Sequence, residues 1–314
     1  MNLDPLVKVS IDLARVRENA RAIGRLTGVP IIAVVKADAY GLGASEVAGA
    51  IGDLVEAFYV FDVAEAVIAR LWDITGRRTI ALNGSWQDPK DYLSHHVSPV
   101  VWSADRAAAL RSTAPVLSVD TGQQRFTCPR KDADTVRRAG DCREVMTHAV
   151  SMRQVRRFVQ LVSDWPGSEL FLHAAGSSLL DQPAARLNAV RPGLALYRGA
   201  VRVSAQLVEA RDSTGPAGYT GFEVDRFGVI LAGYSQGLRP GPCLVNGRLR
   251  RVLEAGMQSC FVEIGPGDQT GDEVVLLGNE TEIDEAAVSK AWGSSPQEVL
   301  VRLTKLAPRD YRSG

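Results

Sequence analysis

A chain of 314 residues, 46% of them hydrophobic, is long enough for one large α/β barrel or two ordinary domains with full cores, and disorder is excluded as its main state. Its 36 basic residues balance its 36 acidic ones and no block of like charge stands out, so nothing favours nucleic acid or an anionic membrane surface as a partner. Cys128, Cys142, Cys243 and Cys260 stand far apart with no CxxC pair, which argues against a zinc or other metal site and predicts free thiols. The opening MNLDPLVKVSID has neither an apolar signal core nor a basic leader, and no apolar run approaches the roughly 20 residues needed to cross a bilayer. These features predict a soluble, cytoplasmic protein.

From Val7 to about Tyr197, short apolar runs alternate with amphipathic stretches. VKVSIDL precedes ARVRENARAIGRLTG, IIAVVKA precedes ASEVAGAIGDL, AFYVFD precedes VAEAVIARLWDI, and TIALNG leads into a helix-poor loop. VSPVVWS, APVLSVD, CREVMTHA and ELFLHAA continue the series, with ADRAAALRS and SMRQVRRFVQLVSDW as helices among them. The alternation predicts a parallel sheet, and the number of units predicts a (β/α)8 TIM barrel over residues 1–200. Past residue 200 the runs RVSAQLVEARD, RFGVILAGY, PCLVNGRLRRVLEA, SCFVEIG and EVVLLG are separated by Gly, Pro and Asp turns without helical patterns. They predict a second, mostly antiparallel β domain over 201–314.

A barrel places its chemistry at the C-terminal ends of its strands. Those ends carry Lys36, the segment from Asp120 to Arg125, His148, His173 with Ser177, and Arg191 with Gly193, a set suited to an anionic ligand. A lysine at a strand end is either a solvated rim charge or an amine held in a partly desolvated pocket, ready to condense with an aldehyde. Tyr40, four residues on among glycines, is spaced to offer a hydroxyl to whatever the lysine holds.

The segment KADAYGLG strongly resembles the pyridoxal-phosphate lysine motif of the alanine racemase family, and the resemblance runs on in order. VDTGQQR resembles that family's DTG-x-x-R, HAAGSS its His-x-Ala-x-Ser segment, RPGLALY its RPG-x-x-x-Tyr, and AGYTGF the segment of its catalytic tyrosine. GYSQG is similar to a GY-x-DG motif, and GDEVVLLG and LTKLAPRDY to the family's closing strands. The resemblance implies a barrel holding pyridoxal 5'-phosphate, a β domain, and a head-to-tail homodimer with shared active sites acting on a small-molecule amino-acid substrate.

On that resemblance Lys36 carries the cofactor and serves one face of the substrate Cα, and Tyr219 of the partner subunit serves the other. Tyr40, Ser177 and the amides of Gly193 and Leu194 bind the phosphate, Arg191 meets the pyridine nitrogen, and His148 stacks on the ring. His173 orients Arg191, Arg125 binds the substrate carboxylate, and Met257 and Tyr234 border the pocket. Taken singly, the histidines also read as core residues, Tyr219 as a packing residue and Arg125 as half of a structural ion pair.

The chain departs from the family pattern at Gln258 and Gln236, where aspartates are usual, and at Ser118, where many members carry a lysine. Gly176 replaces a common asparagine, and Lys305 a tyrosine. The expected activity is alanine racemisation feeding D-alanine to the cell wall. The alternatives are a paralogue acting on serine or a larger amino acid in specialised biosynthesis, and a pyridoxal-phosphate-binding protein without turnover. A decarboxylase is disfavoured because no glycine-triplet loop is present and Cys260 reads as a buried thiol.

Overall fold

The computed structural model describes residues 6–83, 87–165 and 169–312. Its contacts divide the chain into two compact units, one made of residues 16–39 and 43–196, the other of 1–15, 40–42 and 197–314.

In the first unit, strands Ile32–Val34, Ala57–Val60, Thr79–Ala81, Val97–Val101, Val116–Ser118, Glu144–Ala149 and Phe171–Ala175 pair in that order, each parallel to its neighbour. The first five are buried along their whole length, as strands covered on both faces must be. The ring closes through a short segment: Ala189 bridges His173 and Val190 bridges Ile31, both parallel. Arg191 N–H then donates to Ala175 O at 2.8 Å, and Val34 N–H to Pro192 O at 2.9 Å. The parallel (β/α)8 barrel is therefore present, with this segment as its eighth stave.

That placement corrects one assignment. Strand Val7–Asp12, expected to open the barrel, instead pairs antiparallel with Val201–Gln206 and parallel with Arg309–Arg312 in the other unit. The physical reason is its alternation: Val7, Val9 and Ile11 are buried while Lys8 and Asp12 face out, the signature of a strand with one wet face.

After it, Asp12 Oδ1 accepts from Arg15 N at 2.8 Å at the start of helix Leu13–Thr27. That helix buries Val16, Ala20, Ile23 and Thr27 on one stripe. Helix Met152–Ser163 does the same with Val155, Phe158 and Val162. A short helix, Pro89–Ser94, occupies part of the region expected to be helix-poor, with Asp88 accepting from Lys90 N–H at its start.

The second unit is built on a sheet of nine strands among the described residues. Its order is Glu209–Asp212, Arg226–Ile230, Cys260–Glu263, Arg248–Ala255, Gly241–Val245, Glu273–Leu277, Val201–Gln206, Val7–Asp12 and Arg309–Arg312. All pairings except the last are antiparallel. The unit also contains helices Glu285–Trp292 and Pro296–Leu303, where the sequence reading had only strands. Asp284 caps the first by accepting from the amides of Ala286 and Ala287, and Ser295 caps the second by accepting from Glu298 N–H.

All four cysteines are buried and unpaired, and burial pushes the Cys260 thiol up to about 12. Among the described residues no helix is long and apolar enough to cross a membrane.

Candidate active site

Lys36 follows barrel strand Ile32–Val34 by two residues, and the chain then turns left-handed. Ala37, Asp38, Ala39 and Tyr40 have φ of 54°, 55°, 54° and 57°. Such a run costs roughly 1–2 kcal/mol per residue for L-amino acids, so the surroundings must hold it. Glu65 does much of this: its Oε1 accepts from Ala37 N–H at 2.8 Å and its Oε2 from Phe61 N–H at 2.7 Å, tying the turn to the end of the adjacent strand. Ala39 N–H donates to Val35 O at 2.7 Å, and Asp38 Oδ1 accepts from Ala44 N–H at 2.8 Å. Gly41 has φ +87°, and a Cβ there would lie 2.1 Å from Thr304 Oγ1, so no other residue fits.

The Lys36 amine sits in a cationic neighbourhood. Its proton affinity is lowered, first by desolvation and then by the charges of Arg125 and Arg191, with Glu65 working the other way. His148, at the end of strand Glu144–Ala149, is also lowered, by partial burial first and then by Arg191, Lys36 and Arg125. Strand ends far apart in sequence thus bring Lys36, Arg125, His148 and Arg191 within electrostatic reach of one another.

Arg191 is 5% exposed, and its guanidinium is met by neutral acceptors: His173 Nδ1 at 3.0 Å, Met146 Sδ at 2.6 Å and Thr147 O at 2.5 Å. The guanidinium also stands 5.6 Å from the centre of the buried Tyr59 ring, whose hydroxyl burial pushes up to about 12. His173 is fully buried and held down to about 4, chiefly by desolvation and against the pull of Glu144, so it is neutral at pH 7.

Asp120 shapes the loop that carries Arg125, its Oδ1 accepting from Gly122 N–H at 2.7 Å and Gln124 N–H at 3.2 Å. Arg125 is exposed beside Phe126, which packs on Trp102. Ser177 Oγ accepts from Gly193 N–H at 3.0 Å and Ala195 N–H at 3.1 Å, tying together two of the expected phosphate binders at short helix Leu194–Tyr197. Tyr40 lies edge-on to the buried Tyr197, ring centroids 5.2 Å apart.

The other expected residues converge on one end of the nine-stranded sheet. Glu254, 6% exposed near the end of strand Arg248–Ala255, accepts from Tyr219 N–H at 3.0 Å, Thr220 N–H at 2.7 Å and Thr220 Oγ at 2.6 Å. Three residues on, Met257 O accepts from the amide and the hydroxyl of Ser235, while Tyr234 N–H donates to Gly256 O. Gly233 permits this approach, since a Cβ there would stand 2.3 Å from Met257 O. Tyr219, Tyr234 and Met257 are 93%, 56% and 61% exposed, three large side chains presented together. Gln236, at one of the departures from the family pattern, turns back to accept from Gly233 N–H at 2.9 Å.

A family model described as "Alanine racemase, N-terminal domain" matches residues 11–201, and one described as "Alanine racemase, C-terminal domain" matches residues 216–311. The chain belongs to the alanine racemase family. It is 29% identical to alanine racemase of Pectobacterium atrosepticum over an alignment of 358 residues that covers 97% of this chain and 98% of the relative. Alanine racemase of Vibrio cholerae is likewise 29% identical over 338 residues, 90% of this chain and 91% of the relative.

Among solved structures, alanine racemase from the D-cycloserine producing Streptomyces lavendulae superposes with a TM-score of 0.88 at 23% identity, covering all of this chain and 98% of the other. That of Bartonella henselae, with covalently bound pyridoxal phosphate, gives 0.86 at 22% identity, covering 98% of this chain and 100% of the other. These likenesses carry the fold of the family.

The sequence reading missed Glu65, Tyr59, Met146, Glu144 and Glu254. Only Glu65 left a signal, as the fourth residue of Asp62-x-x-Glu65 at a helix start, where Asp62 accepts from Glu65 N–H.

Proposed function

We propose that the protein is a pyridoxal-phosphate-dependent racemase interconverting L- and D-alanine, with Lys36 and Tyr219 of a second copy as its two proton carriers. The observation that carries this reading is the Lys36 amine, held on a left-handed turn and lowered in proton affinity by burial and by Arg125 and Arg191.

The donor set fits the cofactor part by part. An amine of lowered proton affinity suits the aldehyde, and the buried guanidinium of Arg191, paired with neutral acceptors, suits the ring nitrogen. The Ser177 hydroxyl beside the Gly193 amide, with Tyr40 and Leu194, suits the phosphate. His148 would flank the ring. Bound pyridoxal phosphate supplies an aldehyde that joins an amine covalently and a conjugated ring that draws electrons from Cα.

Arg191 cannot give up its proton near neutral pH, so it offers the ring nitrogen a hydrogen bond without protonating it. This keeps electron withdrawal modest and favours prompt return of the proton over side reactions. Lys36 Nζ takes or returns the Cα proton on one face and Tyr219 Oη on the other, as inversion requires. Arg125 holds the substrate carboxylate through its planar fork. Tyr234 and Met257 border the pocket.

The 93% exposure of Tyr219 within one chain supports a homodimer in which each β unit completes the other copy's site. The four unpaired thiols support a reducing, cytoplasmic setting.

The exposed Gln258 beside Met257, in place of an acidic residue, favours a second reading in which the substrate is serine or a larger amino acid. One experiment separates the readings: α-proton exchange in D2O followed by NMR across a panel of L-amino acids, with chiral analysis of the products. Exchange with D-alanine formed fastest supports the first reading, and a faster rate on another amino acid supports the second. Cofactor binding with no exchange on any amino acid would overturn both.

A further inference from the structure

Arg191 is one end of a line of four side chains that runs down the barrel, away from Lys36. Its guanidinium N–H meets His173 Nδ1 at 3.0 Å, His173 Nε2 meets Glu144 Oε1 at 2.9 Å, and Glu144 Oε2 meets Arg78 at 2.8 Å. Glu144 is the first residue of strand Glu144–Ala149 and Arg78 immediately precedes strand Thr79–Ala81. Both therefore stand at the N-terminal ends of the staves, opposite the end that carries Lys36.

Hydrogen-bond bookkeeping leaves this line one arrangement. A guanidinium only donates, so Nδ1 of His173 must present a lone pair. A neutral imidazole with a bare Nδ1 carries its proton on Nε2, and that proton needs an acceptor in a site that is fully buried at His173. An ionised carboxylate only accepts, so Glu144 admits this tautomer and opposes the other.

Burial alone would raise the proton affinity of Glu144, but the hydrogen bond from His173 and the charge and hydrogen bond of Arg78 hold it down to about 2. The carboxylate stays charged wherever the protein is folded at ordinary pH. Both residues also border an open cavity of about 430 Å³, shared with Arg143 and Phe171, and the ion pair with Arg78 holds Oε2, the carboxylate oxygen that His173 does not engage.

We infer that Glu144, braced by Arg78, is a positioning residue for Arg191: it holds His173 in the Nε2–H tautomer, whose Nδ1 fixes the guanidinium. The relay rests on the racemase reading only for its effect on turnover, because the tautomer itself can be read without any reaction. If Glu144 loses its charge, the Nδ1–H form becomes accessible and places an N–H against the guanidinium N–H. Arg191 then loses one of its neutral acceptors and its fixed aim at the ring nitrogen.

The test uses the whole protein as purified, labelled with 15N-histidine, with His173→Gln to assign the signal and two-bond 1H–15N spectra to report which ring nitrogen carries the proton. Wild type is expected to show His173 with Nε2 protonated at pH 7, and Glu144→Gln to show a mixture with the Nδ1–H form. Glu144→Gln/Arg78→Gln, which removes both charges together and so guards against a folding failure, should show the same mixture.

Because Glu144 does not touch the substrate, kcat should fall about tenfold in both variants while KM stays within about twofold. The absorption band of the bound cofactor should shift as Arg191 loosens. Variants that keep the wild-type tautomer and kcat would overturn the inference, and so would a changed tautomer with unchanged kcat and spectrum. Wild type with Nε2–H, a spectral shift in the variants and no α-proton exchange on any amino acid would support the relay and remove the racemase reading.

Discussion

The barrel and the β unit treat their functional side chains in opposite ways. In the barrel, Arg191 and His173 are buried, the terminal guanidinium nitrogens and both imidazole nitrogens meet partners, and Lys36 is fixed on a turn clamped by Glu65. In the β unit, Tyr219 is held through its backbone amide by Glu254, and its side chain is 93% exposed. The difference teaches that the two units prepare side chains differently: Lys36 and Arg191 are preorganised within the barrel, whereas Tyr219, the proposed second proton carrier, is left open to solvent within its own chain.

The sharpest way to break this comparison is at Lys36. Lys36→Ala should abolish covalent cofactor attachment and its visible band and lower racemisation by about 10³-fold or more, read by absorbance and chiral assay. Tyr219→Phe should come next, lowering proton transfer at one face by about 10²–10³-fold while proton exchange at the other persists. Because the ring is exposed, the same change should leave unfolding free energy within about 0.5 kcal/mol of wild type, and a larger loss would show that the ring packs within its own chain.

Acid should act on the barrel through its buried histidine. His173 has a folded pKa of about 4 against an ordinary 6.5, so at this site native and unfolded chains bind equally few protons only well above pH 6.5. As pH falls below that, only the unfolded chain takes up the proton, and stability drops until about pH 4. The expected loss through His173 from pH 7 to 4.5 is on the order of 2–3 kcal/mol by denaturant titration, and His173→Gln should remove that share of the slope and leave the share of His148.

A smaller loss than that of acid is expected at the β unit's edge. Gly233→Ala would set a Cβ 2.3 Å from Met257 O and should cost about 1–3 kcal/mol, displacing Tyr234 and Met257 together. If its stability matched wild type, the edge would be looser than the barrel mouth.

The strands from Ile32 to Ala175 were legible because continuous apolar runs alternate with amphipathic helices, and the KADAYGLG lysine was legible because it ends such a run. The fate of Val7–Asp12 was also written in its alternation, but position in the chain outweighed pattern in the reading. The eighth stave was marked only by Arg191 and Gly193 at its end, since a two-residue bridge before Pro192 has neither length nor periodicity. Glu144 and Glu254 read as ordinary strand-terminal charges, because what distinguishes them is the partner each meets across the fold.

The sequence by itself determined where the staves and most helices form, which side chains stand at the strand ends, and the family, since these depend on local periodicity and ordered motifs. Only the tertiary structure decided that the first strand leaves the barrel and that a left-handed turn follows Lys36. It alone decided, too, that a buried line of donors and acceptors runs from Arg191 to Arg78. Those outcomes depend on pairings between residues distant in sequence, where a hydrogen bond or a buried charge is settled by what lies opposite it in space.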